Sequence, residues 1–500
     1  MNTMVSKQNL QLQAQYHAHI NGLEVKSVQY FDAVDASTGE HLAQIAQCTT
    51  TELELAVDAA VCAQKQWKLS AYEERSIMLN KLADALEQNL QYLACLDTAD
   101  TGRKFTEITI DYQIAIAQFR YFAGAILTHE GYGRPNPNGY FIAKREALGV
   151  IGQIIPWNVP AIMVALKVAP AIAAGNTIIL KPDENASLST LAFAKIAADI
   201  FPAGVINVLT GFGEEIGAAI TAHPQIAKLA FTGSPDVGRI IAKAGAERLV
   251  SVSLELGGKS ANIVFPDISN IDDVVDNALF ATLYCNGQSC LAGTRLFVHE
   301  DIYTVFMDKL LAAAARIRVG NPYDPETVLS GLINDAQAQR VESYIKLGKE
   351  EGAKVRFGGN RVSVPGFEKG HFFEPTIFEA EYDMRIAQEE IFGPVLCVMK
   401  WSDHDSLIAQ ANSTPYGLAA GIYTTNFANA MKTADALEAG NVWINQYFNL
   451  NSGCPFGGFK ESGIGREHCH ETLNMYTQLK TITLQNEVPP AWFVPAASSV

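Results

Sequence analysis

The chain has 500 residues, of which 48% are apolar, and a formal net charge of −16 at pH 7. A chain of this length is expected to form two to four domains, and its apolar content is ample for a large buried core. The acidic balance argues against binding to a nucleic-acid backbone and against a polybasic membrane anchor, because both need clustered Lys and Arg.

The first half of the chain changes from helical to alternating strand and helix patterns. Polar, weakly periodic sequence extends to about residue 48, and apolar side chains then recur at helical spacing over 51–67 and 72–97. From Gly149, short strand-like runs alternate with Ala-rich helical stretches. The predicted strands are 149–155, 177–180, 205–209, 228–231 and 250–254, and the predicted helices lie near 161–173, 187–200, 213–222 and 235–247. This series predicts a mostly parallel sheet with helices on both faces.

A second alternation runs from Asn262 to about Asn445. It begins with a predicted strand, helix, strand and long helix at 262–265, 271–284, 295–299 and 303–316. Two α/β domains with a cleft between them are the simplest architecture for the two series. Near the C-terminus, 476–484 has the alternating side chains of a strand, which we expect to pair with another segment or another subunit.

Cysteine and histidine spacing indicates neither a disulfide scaffold nor a metal site. The eight cysteines form no CxxC pairs, and the pairs His17/His19 and His468/His470 have no partners at ligand spacing. We expect these histidines to have surface or packing roles. The N-terminus is too weakly apolar for an export signal, and polar residues and prolines interrupt the apolar run 150–180. A cytoplasmic protein without a membrane span is predicted.

Two segments could bind a nucleotide, although no Gly-x-Gly-x-x-Gly fingerprint follows the first strand of the parallel series. Ser234 before Pro235 is a typical helix start whose free N–H groups attract phosphate, but most such starts are only caps. Lys181 and Glu184 follow the strand 177–180, at the sheet edge where ligands bind. A carboxylate beside an adenine ribose would repel a 2′-phosphate and favour NAD over NADP. A solvated ion pair in a turn is the other interpretation.

Cys290 and Glu255 have the chemistry of a nucleophile and its base. Cys290 lies among small residues after a Gly-Gln pair, and Glu255 precedes the pair Gly257-Gly258 by two positions. A thiolate attacks a carbonyl carbon, and a carboxylate in reach can later activate water against the thioester. The other interpretation is structural, because a single Cys is usually a small buried apolar residue and a Glu at a strand end is often only a charge.

Seven short motifs are distributed along the chain. They are Pro156-Trp157-Asn158-Val159-Pro160, Lys181-Pro182-Asp183-Glu184, Phe231-Thr232-Gly233-Ser234, Leu254-Glu255-Leu256-Gly257-Gly258-Lys259, Gly287-Gln288-Ser289-Cys290-Leu291-Ala292-Gly293, Glu389-Glu390-Ile391-Phe392-Gly393-Pro394 and Pro455-Phe456-Gly457-Gly458. In this order they resemble the motifs of the aldehyde dehydrogenase superfamily, from about residue 20 to about residue 485. The resemblance implies an α/β fold with a Rossmann-like NAD-binding domain (1–127 and 147–257), an α/β catalytic domain (258–465) and a small β oligomerisation extension (128–146 and 474–500).

The resemblance implies NAD-dependent oxidation of an aldehyde to the carboxylic acid. Cys290 would form a thiohemiacetal and then a thioester, which water would hydrolyse with Glu255 as general base. Asn158 and the Cys290 N–H would bind the oxyanion, and such preorganised donors are typically worth ~3 kcal/mol each. Lys167 would help to relay the proton from Glu255, although a Lys snorkelling from an apolar helix is an equal alternative. The glycines after Glu255 would let the carboxylate move or the cofactor approach.

The resemblance also implies a set of cofactor contacts and no metal ligand. These contacts are Lys181 and Glu184 at the adenine ribose, Trp157 and Ser234 at the pyrophosphate, Glu390 at the nicotinamide ribose and Phe392 beside the nicotinamide, with Ile154, Gly233 and Leu256 completing the set.

The implied substrate tunnel is mostly apolar and contains no Lys or Arg. Its residues are Val159, Met163, Leu166, Tyr284, Ser289, Leu291, Phe448, Leu450 and Phe456. We therefore predict an uncharged aliphatic or aromatic aldehyde and disfavour semialdehyde acids and betaine aldehyde. The Gly-rich stretch 453–465 is expected to border the substrate entrance and not to bind phosphate.

One departure from the family lies beside the nucleophile. Cys285 stands five residues before Cys290, where the family commonly has Asn, and Asn286 comes one position later. The second thiol could be inert packing, could perturb the loop or could trap Cys290 as a disulfide under oxidation. Of these, we favour packing.

Family members associate through a β-hairpin, here about 130–145, and through the terminal strand, so a homodimer or homotetramer is expected. The tail after Asn486, with three prolines, is expected to be irregular. Alternative functions are a CoA-acylating aldehyde dehydrogenase, which often lacks the carboxylate at Glu255, and a non-enzymatic binding protein on the same fold. A thiol hydrolase would need a His base near Cys290, and the motif supplies none.

Overall fold

The computed structural model describes residue 10 and residues 12–488. Its strands in chain order are β1 (Gln15–Tyr16), β2 (Ala18–Ile20), β3 (Leu23–Val25), β4 (Gln29–Val34), β5 (His41–Gln47), β6 (Tyr132–Asn136), β7 (Gly139–Ala147), β8 (Val150–Ile154), β9 (Thr177–Lys181), β10 (Ile206–Val208), β11 (Ile226–Thr232), β12 (Ser251–Glu255), β13 (Ala261–Val264), β14 (Arg295–His299), β15 (Lys354–Phe357), β16 (Arg361–Val362), β17 (Phe372–Phe373), β18 (Thr376–Glu379), β19 (Val395–Trp401), β20 (Tyr416–Gly417), β21 (Ala419–Tyr423), β22 (Asn441–Ile444), β23 (Phe459–Lys460), β24 (Gly463–Ile464) and β25 (Thr477–Gln485). Its α-helices are α1 (Thr50–Trp67), α2 (Tyr72–Gln88), α3 (Leu90–Thr101), α4 (Phe105–Ala125), α5 (Pro160–Ala173), α6 (Leu188–Ala198), α7 (Ala218–Ala222), α8 (Pro235–Arg248), α9 (Ile271–Leu283), α10 (Glu300–Ala314), α11 (Asp335–Glu350), α12 (Arg385–Gln388), α13 (His404–Ala411), α14 (Phe427–Ala436) and α15 (His470–Met475).

Sheet I has the strand order β24-β12-β11-β8-β9-β10-β2-β3. Strands β8 to β12 are mutually parallel. Numbered in chain order, they have the order 3-2-1-4-5 along the sheet, which is the order of the first five strands of a Rossmann fold. The strand order reverses between β8 and β11. In open α/β sheets ligands bind at this reversal, outside the carboxyl ends of the strands. The predicted parallel sheet and Rossmann-like fold are therefore confirmed.

Sheet II has the order β15-β18-β19-β14-β13-β21-β22 and contains the second predicted alternation. Its strands are parallel except β15, which pairs antiparallel with β18 at one edge. The connector between the sheets is short, because β12 ends at Glu255 and β13 begins at Ala261.

Sheet III joins the predicted hairpin to the predicted terminal strand. β6 and β7 form the hairpin, and β25 pairs antiparallel with β7 from Thr477 opposite Ala147 to Gln485 opposite Gly139. The strand predicted near the C-terminus thus has a partner within the chain. The part of the predicted tail at 489–500 lies outside the described residues, and the domain boundaries stay a prediction.

The largest core cluster packs helices α2 to α6 against sheet I. Its buried members include Leu79, Leu93, Phe119, Val168 and Ile178. None of the helices within 12–488 is long and apolar enough to cross a membrane.

Three features of the first half of the chain differ from the prediction. The polar segment before residue 48 forms strands β1 to β5, and the long helix α4 was not predicted. The single helix predicted over 72–97 is two helices that break at Asn89. The backbone of this residue leaves the helical region at φ −101°, and its side chain donates a hydrogen bond of 2.8 Å to the carbonyl of Ala85.

Candidate active site

The carboxyl ends of the parallel strands of sheet I lie side by side. Ile154 is opposite Phe231 on one side and opposite Lys181 on the other, and Thr232 is opposite Glu255. The sequence motifs that follow these strands therefore meet at one edge of the sheet, because parallel strands end at the same edge.

The nucleophile loop precedes β14 and has a strained backbone. Cys285 and Asn286 adopt the left-handed conformation at φ 59° and 57°, which costs a non-glycine residue roughly 1–2 kcal/mol. The Asn286 side chain offsets this cost by bonding the Ser330 hydroxyl and the Gly331 carbonyl at 3.0 and 2.8 Å and by accepting from the Ser330 N–H at 2.9 Å. Cys285 is fully buried, and its thiol donates to the Asn158 carbonyl at 3.3 Å. These contacts favour the packing role.

Cys290 lies at the junction of two cavities. A polar cleft of about 390 Å³ lies at the carboxyl edge of sheet I, and an apolar cavity of about 650 Å³ lies on the other side. Cys290, Asn158 and Met163 line both. Burial raises the pKa of the Cys290 thiol to about 12, and the nearby carboxyl groups of Glu390 and Glu255 act in the same direction. The thiol therefore needs a proton acceptor before it can attack a carbonyl carbon.

Asn158 is held against the nucleophile loop. Its Nδ2 donates to the Gln288 carbonyl at 2.8 Å, two residues before Cys290. An amide nitrogen carries two hydrogens, so one N–H is left for an oxyanion. The Arg103 Nη1 donates to the Asn158 carbonyl at 3.0 Å and thereby fixes the backbone of this residue.

A buried ionic cluster supports the backbone of Asn158. The guanidinium of Arg103 is completely buried and pairs with Asp111 at 2.5 Å, and the Tyr284 hydroxyl donates to the same carboxylate at 2.6 Å. Glu107 accepts from the Cys285 N–H at 3.1 Å. The cluster therefore connects helix α4 to both Asn158 and the nucleophile loop.

Glu255 is the last residue of β12 and is 3% exposed. Its Oε2 has no hydrogen-bond partner among the described residues. Burial raises the pKa of the Glu255 carboxyl well above its usual range, and the charge of Glu467 acts in the same direction. A carboxylate with a raised pKa can accept a proton near neutral pH, as a general base must.

The two glycines after Glu255 make room for other groups. A Cβ on Gly257 would lie 2.5 Å from the Glu390 carboxylate, and a Cβ on Gly258 would lie 2.2 Å from the Cys290 carbonyl oxygen. The Gly258 N–H also donates to Glu390 Oε1 at 3.0 Å. Both glycines therefore let the nucleophile loop and Glu390 approach the strand that carries Glu255.

Lys167 is completely buried in α5, and its Nζ pairs with Glu467 Oε1 at 2.5 Å. No hydrogen bond among the described residues joins Lys167 directly to Glu255. Lys167 and Glu467 form a buried ion pair on this side of the site. The sequence did not indicate Glu467, because Lys167 and Glu467 are 300 residues apart.

The polar cleft fits a dinucleotide. Ser234 caps α8 by accepting from the Val237 N–H at 3.4 Å, and Pro235 lies in the first turn. The free N–H groups at such a helix start attract phosphate. Trp157 and Phe392 meet edge to face at 5.4 Å. Trp157, Gly233, Ser234, Leu256, Glu390 and Phe392 of the predicted set line the cleft. Burial raises the pKa of the Glu390 carboxyl to about 7.

Three of the predicted cofactor residues lie beside the cleft and not in its lining. Lys181, the last residue of β9, pairs with Glu184 at 3.3 Å, and Ile154 ends the neighbouring strand β8. Their places along the edge of sheet I agree with a ligand that extends from the cleft across β8 and β9.

The apolar cavity contains all nine predicted tunnel residues. The further apolar lining is Ile110, Ile114, Ile162, Leu279, Phe280, Leu283, Ala313, Ile317 and Val328. The expectation that no Lys or Arg lines the cavity is wrong, because Lys104 and Arg316 do. Lys104 pairs with Glu107 at 3.2 Å, and Arg316 is exposed, so neither places an unpaired buried charge in the cavity.

A dinucleotide-type strand order whose ligand edge meets a half-buried thiol and a buried carboxyl is the arrangement of an oxidoreductase. The sequence model of the aldehyde dehydrogenase family matches residues 24–482. An aldehyde dehydrogenase of Emericella nidulans is 42% identical over 468 residues, which cover 93% of each chain. The NAD+ complex of an aldehyde dehydrogenase from Bacillus cereus is 38% identical, has a TM-score of 0.92 and covers 95% of this chain and 97% of that chain. The P. syringae indole-3-acetaldehyde dehydrogenase in complex with NAD+ and IAA is 36% identical, with a TM-score of 0.92 over 96% of this chain and 98% of that chain. The chain belongs to the aldehyde dehydrogenase family.

Proposed function

We propose that the protein oxidises an uncharged, mainly apolar aldehyde to the carboxylic acid through a covalent intermediate on Cys290, with NAD as the oxidant. The observation that carries the proposal is that Cys290 and Asn158 line both the polar cleft and the apolar cavity. A substrate carbonyl in the apolar cavity and a cofactor in the polar cleft would then meet at one sulfur atom.

The residues of the site would act in sequence. The Cys290 thiol loses its proton to water in the polar cleft, and the thiolate adds to the aldehyde carbon. The free N–H of the Asn158 amide and the Cys290 N–H donate to the oxyanion. Trp157, Ser234 and Glu390 would hold NAD in the polar cleft, where its nicotinamide would accept the hydride and Cys290 would be left as a thioester. Glu255 then takes a proton from water, the hydroxide attacks the thioester, and the acid and the thiol are released.

Lys167 is proposed to act indirectly, as part of the buried group that carries the proton away. Its ammonium is bonded to Glu467, and the charges of both residues act on the carboxyl of Glu255. A simple snorkelling role is disfavoured, because the Lys167 side chain is completely buried and paired.

NAD is proposed because it is bound in the solved structures of the Bacillus cereus and P. syringae relatives. Glu184 supports NAD over NADP, since its carboxylate at the ribose would repel a 2′-phosphate. Hydrolysis is favoured over acyl transfer to CoA because Glu255 is present and buried at the edge of the cleft.

A homodimer or homotetramer is proposed through sheet III. One face of the sheet exposes the apolar side chains Tyr140, Ile142, Ile482 and Leu484, which are 37–58% exposed. An apolar face of this kind is typical of a surface covered by another subunit. Light scattering would measure the assembly. A cytoplasmic location stays a prediction.

The proposal is tested by the pre-steady-state release of NADH from hexanal and benzaldehyde, with mass spectrometry of the enzyme. The Cys290→Ala variant is expected to release no NADH. The Glu255→Gln variant is expected to release about one NADH per site and then to turn over slowly, with acylated Cys290 in the tryptic digest. Cys454→Ala is the matched control, because Cys454 is an exposed free thiol outside both cavities. Full turnover without an adduct on Cys290, or product formation that requires CoA, would contradict the proposal.

A further inference from the structure

His468 is a buried imidazole in the lining of the apolar cavity. It is 2% exposed, and neither ring nitrogen makes a hydrogen bond within the described part of the chain. A buried polar group without a partner is unfavourable, and such groups in native structures often have a ligand as their partner. The expectation of a surface or packing role does not account for these two free nitrogens.

The backbone at His468 holds the ring in this place. Its φ of 71° lies in the left-handed region, which is unfavourable for a residue with a bulky side chain. The conformation is fixed on both sides, because the Gly453 N–H donates to the His468 carbonyl at 2.9 Å and the preceding Glu467 exchanges two backbone hydrogen bonds with Phe456. The strained backbone thus places Glu467 beside Lys167 and the side chain of His468 in the cavity lining.

The other buried or half-buried polar groups of the lining have partners. Asn158 donates to the Gln288 carbonyl, and the Ser289 hydroxyl accepts from the Leu291 N–H at 3.3 Å. Lys104 is paired with Glu107. The Tyr284 hydroxyl donates to Asp111, and Thr106, Asp276 and Arg316 are exposed and can be hydrated. His468 is therefore the place in the described lining where a polar group of the substrate would gain most.

The surroundings of the ring favour a neutral imidazole with one nitrogen free to accept a hydrogen bond. Burial lowers the pKa of His468, so the ring is neutral at neutral pH, while the backbone carbonyls of Cys454 and Asn451 act in the opposite direction. A carbonyl can only accept, so a neutral ring that turns its N–H towards these carbonyls keeps its other nitrogen as an acceptor. The other nitrogen then has a lone pair and needs a donor.

We propose that His468 accepts a hydrogen bond from a hydroxyl group of the substrate, and that the preferred aldehydes carry such a hydroxyl on an otherwise apolar body. The inference rests on the proposed function and narrows its substrate class. An aldehyde with an ether oxygen at the same position has no donor and would leave the imidazole nitrogen unpaired.

The test compares kcat/KM for matched aromatic aldehydes with NAD in excess. Benzaldehyde, phenylacetaldehyde and 3-phenylpropanal are each used with hydrogen, hydroxyl or methoxy at the 2- and 4-positions. In the wild-type enzyme at least one hydroxyl compound is expected to exceed its methoxy counterpart by about tenfold, since a site built for a hydroxyl discriminates strongly against its absence. In His468→Leu this ratio is expected to fall to about one, and in His468→Gln, which keeps an acceptor, to an intermediate value.

Thr106→Val is the matched control, because it removes an exposed polar group of the same lining, and it is expected to keep the wild-type ratio. Thermal unfolding shows whether each variant folds. The ratio of the kcat/KM values of two aldehydes, measured on one preparation, does not depend on the fraction of enzyme that is active. A wild-type ratio below about threefold for every pair, or an equal ratio in wild type and in the folded His468 variants, would overturn the inference. NADH release from the unsubstituted aldehydes reports separately on the proposed function.

Discussion

Replacing Arg103 by Met tests whether the buried ionic cluster supports the oxyanion residue. Met keeps an unbranched stem but removes the charge and its two hydrogen bonds, one to Asp111 at 2.5 Å and one to the Asn158 carbonyl at 3.0 Å. Asp111 is 1% exposed and would keep only the Tyr284 hydroxyl as a partner. The variant therefore leaves a buried carboxylate without its counter-charge.

The expected cost is large for a single substitution. Removing one partner of a buried ion pair destabilises a protein by roughly 3–5 kcal/mol, because the remaining charge is uncompensated. For a chain of this size the melting temperature would fall by roughly 3–10 °C, as the shift per kcal/mol becomes smaller in larger proteins. Adding Asp111→Asn neutralises the second charge and is expected to restore at least half of the loss. We also expect kcat/KM to fall about tenfold, less than on removing an oxyanion donor outright.

Differential scanning fluorimetry and NADH absorbance provide the two measurements. Arg120→Met is the matched control, because Arg120 also lies in this helical layer and pairs with Asp84 and Glu87, but at the surface, where ion pairs contribute little. Should Arg103→Met melt within 1 °C of wild type and keep its kcat/KM within about twofold, the cluster would not support Asn158 in the way described.

Three further outcomes are expected. Gly258→Ala should lower kcat/KM by at least about 100-fold, because its Cβ would lie 2.2 Å from the Cys290 carbonyl oxygen; activity close to wild type would show that the loop can move. The rate should rise with pH between about 6 and 9, since burial raises the pKa of both Cys290 and Glu255 and the deprotonated forms are the active ones; a fall over this range would reverse the assignment. Glu467→Gln should lower the melting temperature by several degrees and slow deacylation more than the NADH burst, because it leaves Lys167 buried without its carboxylate; equal effects on both phases would indicate a structural role alone.

The parts of the fold that the sequence predicted are those with strong local patterns. The strands of sheet I are β-branched runs between Ala-rich helices, so their order in the chain was evident. Helix α4 was missed because Phe105–Ala125 is rich in Ile, Tyr and Phe, which favour strands, although its buried side chains at Ile108, Tyr112, Ala115 and Phe119 follow helical spacing. Strands β1 to β3 have only two or three residues each, too few for a period to be recognised.

The residues of the candidate site also divide into those with a local sequence pattern and those without one. Cys290, Glu255 and Asn158 were indicated because each lies in a short motif with a chemical meaning. Arg103 and Glu467 were not, since their partners are distant in sequence and a lone charged residue gives no sign of being buried. Such pairings depend on the tertiary fold, and the period and spacing of a single sequence do not contain them.

The pairing of β24 with β12 has a consequence for the order in which the enzyme is made. Ser462 donates to the Gly257 carbonyl at 2.7 Å across 205 residues, and β24 pairs with Leu254 and Glu255 at the end of this edge strand. While a ribosome is still translating the middle of the chain, this edge is open and able to recruit a stray strand from a neighbouring polypeptide. Growing chains should therefore depend on chaperones until residue 464 has emerged, and a protein truncated before that point should be inactive and prone to aggregate.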